Sequence, residues 1–166
     1  MLSNFQNKKN TGSKREEKQF IVFSLGEEKF GVDVKQIKQI IPMDESTHIP
    51  NAPSFVKGVI NLRGEIIPIV DLKQKLTVVA DTIVSKEGKI IIVELDSNSI
   101  GMQVDSVSEM MRIYEDEIAD PPRIVKGINR NYLKGVAKLD DKLLILLDLD
   151  KILSEEEMKE LDNFDI

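Results

Sequence analysis

Two stretches of this chain repeat each other in register, which restricts it to folds that can be built from two copies of one unit. Phe20 to Ile41 laid over Ile90 to Met111 at an offset of 70 puts all eleven apolar residues of the first stretch opposite apolar residues of the second. Leu25/Leu95, Gly31/Gly101 and Val34/Val104 are identical. At an offset of 77, Phe55 to Leu76 (FVKGVINLRGEIIPIVDLKQKL) falls on Tyr132 to Leu153 (YLKGVAKLDDKLLILLDLDKIL). There Lys57/Lys134, Gly58/Gly135, Val59/Val136, Leu62/Leu139, Asp71/Asp148, Leu72/Leu149 and Leu76/Leu153 coincide. Strands share an alternating pattern, but a register held through two blocks separated by a seven-residue insertion marks two copies of one small fold.

Each copy spans about 70 residues, near the size at which a lone core is marginal, so the copies are expected to pack on each other. The balance of 41% hydrophobic and 31% charged residues belongs to a soluble globular chain. Apolar runs such as Leu143 to Leu147 fall far short of the roughly 18–20 residues of a spanning helix. The N-terminus (MLSNFQNKKN) has no signal-peptide apolar core. With no cysteine there are no disulfides, thiol nucleophiles or thiolate metal sites. A cytoplasmic protein without membrane insertion is expected. Charge is uneven, with a sum of +3 over residues 1–18 and −9 over residues 19–166. The body should repel nucleic acid, and residues 1–18 read as a disordered basic leader.

Strands account for most of the chain. Phe20 to Leu25 and Phe30 to Val34 flank a Gly26-Glu27-Glu28-Lys29 turn and read as a hairpin. Ile37, Ile40 and Ile41 follow at helix-like spacing, which predicts one turn of helix before the next strand. Pro42 to Ser54 is a connection, Val56 to Asn61 a strand, Leu62-Arg63-Gly64-Glu65 a tight turn and Ile66 to Val70 a strand. Pro68 has no N–H for a ladder and is expected on an edge or at a bulge. Five short strands, twice over, point to a pair of small closed or nearly closed barrels. Ser154-Glu155-Glu156-Glu157 is a capping box opening one short C-terminal helix.

The search for chemistry returns little. His48, the only histidine, sits in the proline-bounded connection with no serine or acid in motif context. Gly26 to Gly31 has no GK[ST] ending, and Gly58 to Gly64 lies in a strand and turn, so neither makes a phosphate loop. The acidic run from Asp140 to Glu157 lacks the glycine and ligand spacing of a calcium loop. Asp71 and Asp148 end the repeated strand before a leucine, and their equivalence favours a turn or cap acceptor over paired catalytic carboxylates. No catalytic residue, cofactor site or metal site emerges.

One string is specific. GVINLRGEIIPIVDL (Gly58 to Leu72), with QFIVFSLGEEKFGVDV (Gln19 to Val34) and GVAKLDDKLLILLDLDKIL (Gly135 to Leu153), closely resembles the CheW family of bacterial chemotaxis adaptors. The resemblance covers about residues 19–161. It implies an all-β fold of two SH3-like five-stranded barrels, with 24–80 as the first barrel, 19–23 plus 81–153 as the second, and 154–161 as a C-terminal helix. It also implies a non-catalytic role joining the cytoplasmic tips of chemoreceptors to the regulatory domain of the histidine kinase CheA. The adaptor would be a monomer in isolation and would alternate with the kinase in rings beneath a receptor array. By that resemblance Arg63, Ile37, Gln39, Val104 and Val107 are receptor-facing positions, with Val104 and Val107 lining a groove between the barrels. Gln39 departs from the glutamate common among relatives, which removes a charge and keeps an acceptor. Gly58, Gly64 and Gly135 are expected to serve the fold at turns or close contacts. A CheV-like adaptor carrying a receiver domain is not expected, since the chain ends about a dozen residues after Leu153.

Overall fold

The computed structural model describes residues 16–43, 52–76, 88–125 and 127–162. Residues 1–15 of the leader, His48 and most of the Pro42–Ser54 connection lie outside the described residues. In chain order the strands are β1 (Glu17–Leu25), β2 (Glu28–Asp33), β3 (Ile37–Pro42), β4 (Val56–Leu62) and β5 (Glu65–Val70), followed by α1 (Leu72–Leu76). The second half gives β6 (Lys89–Leu95), β7 (Asn98–Val104), β8 (Ser106–Tyr114), a ribbon of β9 (Ile124–Val125) and β10 (Ile128–Asn129), β11 (Leu133–Leu139), β12 (Lys142–Leu147) and α2 (Glu155–Asp162).

Two five-stranded sheets result, ordered β11-β12-β2-β1-β8 and β4-β5-β7-β6-β3. They are the same sheet built twice. Leu146 pairs with Gly31 across the parallel β12–β2 contact, and Ile69 pairs with Gly101 across β5–β7, each residue the counterpart of the other under the repeat. Those crossings explain the identical glycines. A Cβ on Gly31 would lie 2.8 Å from Leu146 Cδ2, and one on Gly101 2.5 Å from Ile69 Cδ1. The bulges repeat as well: Ser108 is skipped opposite β1 as Lys38 is opposite β6, and Lys134 in β11 as Lys57 in β4.

Each sheet draws on both copies. The hairpin of β1 and β2 joins β8, β11 and β12, while the hairpin of β6 and β7 joins β3, β4 and β5, so the copies exchange their first hairpins. The barrels therefore do not divide at 24–80 and 19–23 plus 81–153 as expected. A parallel neighbour needs a long crossover, and here each crossover runs from one copy into the other.

Three apolar clusters follow. Phe20, Val22, Ala137, Leu144 and Leu146 fill the first barrel, and their equivalents Ile90, Ile92, Ile60, Ile67 and Ile69 fill the second. In each case the two edge strands reach the same cluster, which curls the sheet upon itself, and reciprocal backbone bonds between Ala119 and Val136 (2.8 and 2.9 Å) tie the first barrel's seam. A larger cluster lies between the barrels and holds Phe23, Leu25, Phe30 and Val32 with Val93, Leu95, Ile100 and Met102. β1 and β6 are thus covered on both faces, which is why each carries an unbroken apolar run, Phe20 to Phe23 and Ile90 to Val93. The expected all-β fold of two small barrels with a short C-terminal helix is what the structure shows.

Two local expectations are corrected. Ile37, Ile40 and Ile41 belong to a strand, preceded by a 3-10 turn at Val34–Gln36. The bulge at Lys38 puts Ile37 and Ile40 on one face although they are three residues apart, which imitates helical spacing. Pro68 lies in β5, an interior strand, with no bulge at its pairing to Val59. Its missing N–H shows in the neighbouring ladder: the parallel pairing of β5 covers only Ile69 and Val70, whereas the equivalent pairing of β12 also includes Ile145, the counterpart of Pro68.

Candidate functional site

Arg63 and Gly64 form the two-residue turn between β4 and β5, at φ +54° and +87°. Both angles are left-handed, the geometry that matches the twist of a tight hairpin. Asn61 Oδ1 accepts the Gly64 N–H at 2.9 Å and holds the turn shut. Arg63 is exposed. The equivalent turn of the first barrel carries Asp140, at φ +54°, and Asp141, so the two corresponding turns present opposite charge.

Ile37 and Gln39 lie on β3, an edge strand, opposite Val93 and Ile92. Ile37 is partly buried against the inter-barrel cluster. The β4–β5 turn, the β6–β7 turn and the start of β3 share one end of the second barrel, so Arg63, Ile37 and Gln39 belong to that end. Val104 is at the other end, opposite Lys89, and leads through Asp105 towards Val107 on β8. The five positions therefore do not make one contiguous patch. Val104, only 1% exposed, can shape a surface but not touch a partner, whereas Val107 is partly buried on the same cluster.

Of the glycines, Gly64 sits in a turn as expected, while Gly58 and Gly135 are mid-strand at bulges. Gly135 is needed for close approach, since a Cβ there would lie 2.5 Å from Ile118 Cγ2 and 2.8 Å from the Ala119 carbonyl oxygen. Asp71 and Asp148 are the cap acceptors that their equivalence predicts: Asp71 Oδ1 takes the Gln74 N–H at 3.1 Å and Asp148 Oδ1 the Asp150 N–H at 3.2 Å.

A groove of about 580 Å³ runs beside this end, between the β6–β7 turn on one barrel and the Leu149–Leu153 segment and α2 on the other. Leu95, Leu149, Leu153 and Met158 line it, with Asp96 and Asp150. Gln36, next to Ile37, donates from Nε2 to Asp150 Oδ1 at 3.3 Å, so the entry to β3 is tied to the groove wall.

Two charged contacts were not readable from sequence spacing. Asp105 anchors the β7–β8 corner: Oδ2 accepts the Gly26 N–H at 2.7 Å and Oδ1 pairs with Lys73 Nζ at 2.8 Å. Lys75 of α1 pairs with Glu157 of α2. Burial pushes the Glu157 carboxyl up, but hydrogen bonds and charge from Lys75 together with the Ser154 cap outweigh it and hold the group below its ordinary value. Partners 32 and 82 residues apart carry no motif. Among the described residues no group of three or more His, Asp or Glu is placed to hold a metal ion, and no helix is long and apolar enough to cross a membrane.

The sequence model of the CheW-like domain matches residues 19–157, spanning both barrels. The chain is similar to the chemotaxis protein CheW of Klebsiella aerogenes, 37% identical over 147 residues and covering 87% of each chain. It is 36% identical to that of Thermotoga maritima, over 83% of this chain and 89% of the relative. The crystal structure of the scaffolding protein TtCheW from Thermoanaerobacter tengcongensis superposes with a TM-score of 0.77 at 37% identity, covering 84% of this chain and 89% of that one.

Proposed function

This chain belongs to the family of CheW-like domains, and from that premise we propose that it is a non-catalytic adaptor coupling the cytoplasmic tips of chemoreceptors to the histidine kinase CheA. A role as a chemotaxis adaptor or scaffold rests on the family itself. The finer coupling is supported by one observation above others: a groove between the two barrels, floored by Leu95, Leu149, Leu153 and Met158 and edged by the charged Asp96, Asp150, Glu155 and Lys159, adjoins the barrel end that carries Ile37, Gln39 and Arg63. An amphipathic helical hairpin laid there would bury its apolar face in the groove and find polar partners at the rim, the mode by which helices dock into grooves.

In this reading Ile37 supplies apolar contact, Gln39 an uncharged acceptor and Arg63 a charge-assisted donor, while Val104 and Val107 support the surface near the β7–β8 corner. The regulatory domain of the kinase takes barrel ends, so that adaptor and kinase alternate beneath a receptor array in the cytoplasm. Modest affinity at each contact suffices, because an array raises effective concentration. Nucleic acid is not a partner, given the −9 carried by residues 19–166.

Calorimetric titration against a receptor cytoplasmic hairpin fragment and, separately, the CheA regulatory domain tests the proposal. Binding to both is expected, with Arg63→Ala weakening the receptor isotherm alone. Silence in both titrations from folded protein would overturn it.

A further inference from the structure

Lys75 breaks the internal symmetry. Its counterpart in the second copy is Ile152, a 2% exposed core residue, so the repeat calls for an apolar side chain at that place. A lysine fits because three groups converge on its ammonium. Nζ lies 5.9 Å from the ring centroids of both Phe55 and Tyr132, which are themselves equivalent residues of the two copies. Glu157 of α2 meets it with both carboxylate oxygens, Oε2 at 2.6 Å. The Lys75 and Glu157 side chains are only 14% and 20% exposed, so the pair is screened less than a surface pair and adds to the attraction of a cation over ring faces.

Among the described residues little else holds α2. Its eight residues are fewer than the roughly 12–15 that an isolated helix needs, so it keeps its shape only while docked. Its apolar contacts are Met158 and Leu161, both only partly buried at the margin of the inter-barrel cluster. Glu157 also closes the capping box: Oε1 accepts the Ser154 N–H at 2.9 Å, and the Glu157 N–H donates to Ser154 Oγ at 3.1 Å. One carboxylate both starts the helix and fastens it.

We propose that α2 is a detachable strap fastened by Lys75: when the contact with Glu157 opens, α2 undocks and melts in one step, uncovering Leu149 and Leu153 on the groove it walls. The device does not depend on which partner the groove receives. A partner that displaces α2 gains apolar surface, and one that needs α2 as a wall is excluded by its release.

Hydrogen exchange of the full chain, read by mass spectrometry, tests the strap. Lys75→Met keeps the apolar stem between the two rings and removes the charge; Glu157→Gln keeps an acceptor for the Ser154 N–H and removes the partner's charge. In each variant, peptides over residues 155–162 are expected to exchange about tenfold faster or more, the loss of a charge-assisted bond, with β1 and β6 unchanged. The double variant is expected to match the singles, because either change opens the same contact. Ser154→Ala, which leaves Lys75 and Glu157 in place, separates capping from fastening and should retain the interaction between those two residues. Unchanged protection of α2 in the two charge variants overturns the strap, as does an α2 already unprotected in the unmodified chain. Loss of protection throughout both barrels also overturns it, since Lys75 would then be a fold determinant. Should Lys75→Met fail to fold, Glu157→Gln decides alone.

Discussion

Glycines 64 and 101 show how one residue type meets two different demands. Gly64 has φ +87° and nothing within 4 Å of the place a Cβ would take, so its constraint is backbone conformation. Gly64→Val is expected to cost about 1–3 kcal/mol through strain, read as a lowered Tm. Gly101 has ordinary φ but Ile69 Cδ1 only 2.5 Å away, so Gly101→Ala is expected to cost a similar ~1–3 kcal/mol through overpacking. Arg63 differs from both: exposed and already left-handed, it should tolerate alanine with Tm nearly unchanged while receptor coupling suffers. Glu157 adds a pH dependence. Its folded pKa lies below the ordinary 4.5, so the stability it contributes is fully present above that value and is lost as pH falls through the lowered one. Hydrogen exchange over residues 155–162 of the native chain and of Glu157→Gln should therefore differ at neutral pH and converge in acid.

At the scale of elements, the bulge in β3 lets Ile37 and Ile40, three residues apart, meet the core from one side of the strand. Deleting Lys38 would remove the skipped residue and leave Ile37 opposite Val93, on the face of Ile40, now by plain alternation. Denaturant unfolding is therefore expected to show a loss below the roughly 1.5–3 kcal/mol that one large aliphatic side chain is worth. This element also marks the limit of sequence reading. Alternation and the two registers revealed the strands, the Arg63–Gly64 turn, the paired caps at Asp71 and Asp148 and the capping box at Ser154. They could not reveal a bulge, because one skipped residue makes a strand look helical, nor the place of Pro68, because strand order depends on contacts remote in sequence. The site was legible only in part for the same reason. Ile37 and Arg63 are assigned by family likeness alone, whereas Val104 is buried and Lys75, Glu157 and Asp105 act through partners that no local spacing announces.

On the scale of the whole molecule, the exchanged hairpins make the two barrels one unit. A fragment ending near residue 86 keeps β3, β4 and β5 but lacks β6 and β7, which supply Ile90 and Ile92 to its barrel interior. It is expected to be unfolded by circular dichroism, and adding the complementary fragment should restore sheet signal; a folded isolated half would contradict the exchange. The same wiring sets a timetable for synthesis. Phe20 and Val22 leave the ribosome early, yet Ile113, Ala137, Leu144 and Leu146, which will cover them, are made some 90–125 residues later. At about 5–20 residues per second that is a wait of roughly 5–25 seconds with an apolar hairpin uncovered. For that interval the nascent chain offers its stickiest surface to whatever is nearby, so the first strand of this protein is the one most in need of a chaperone.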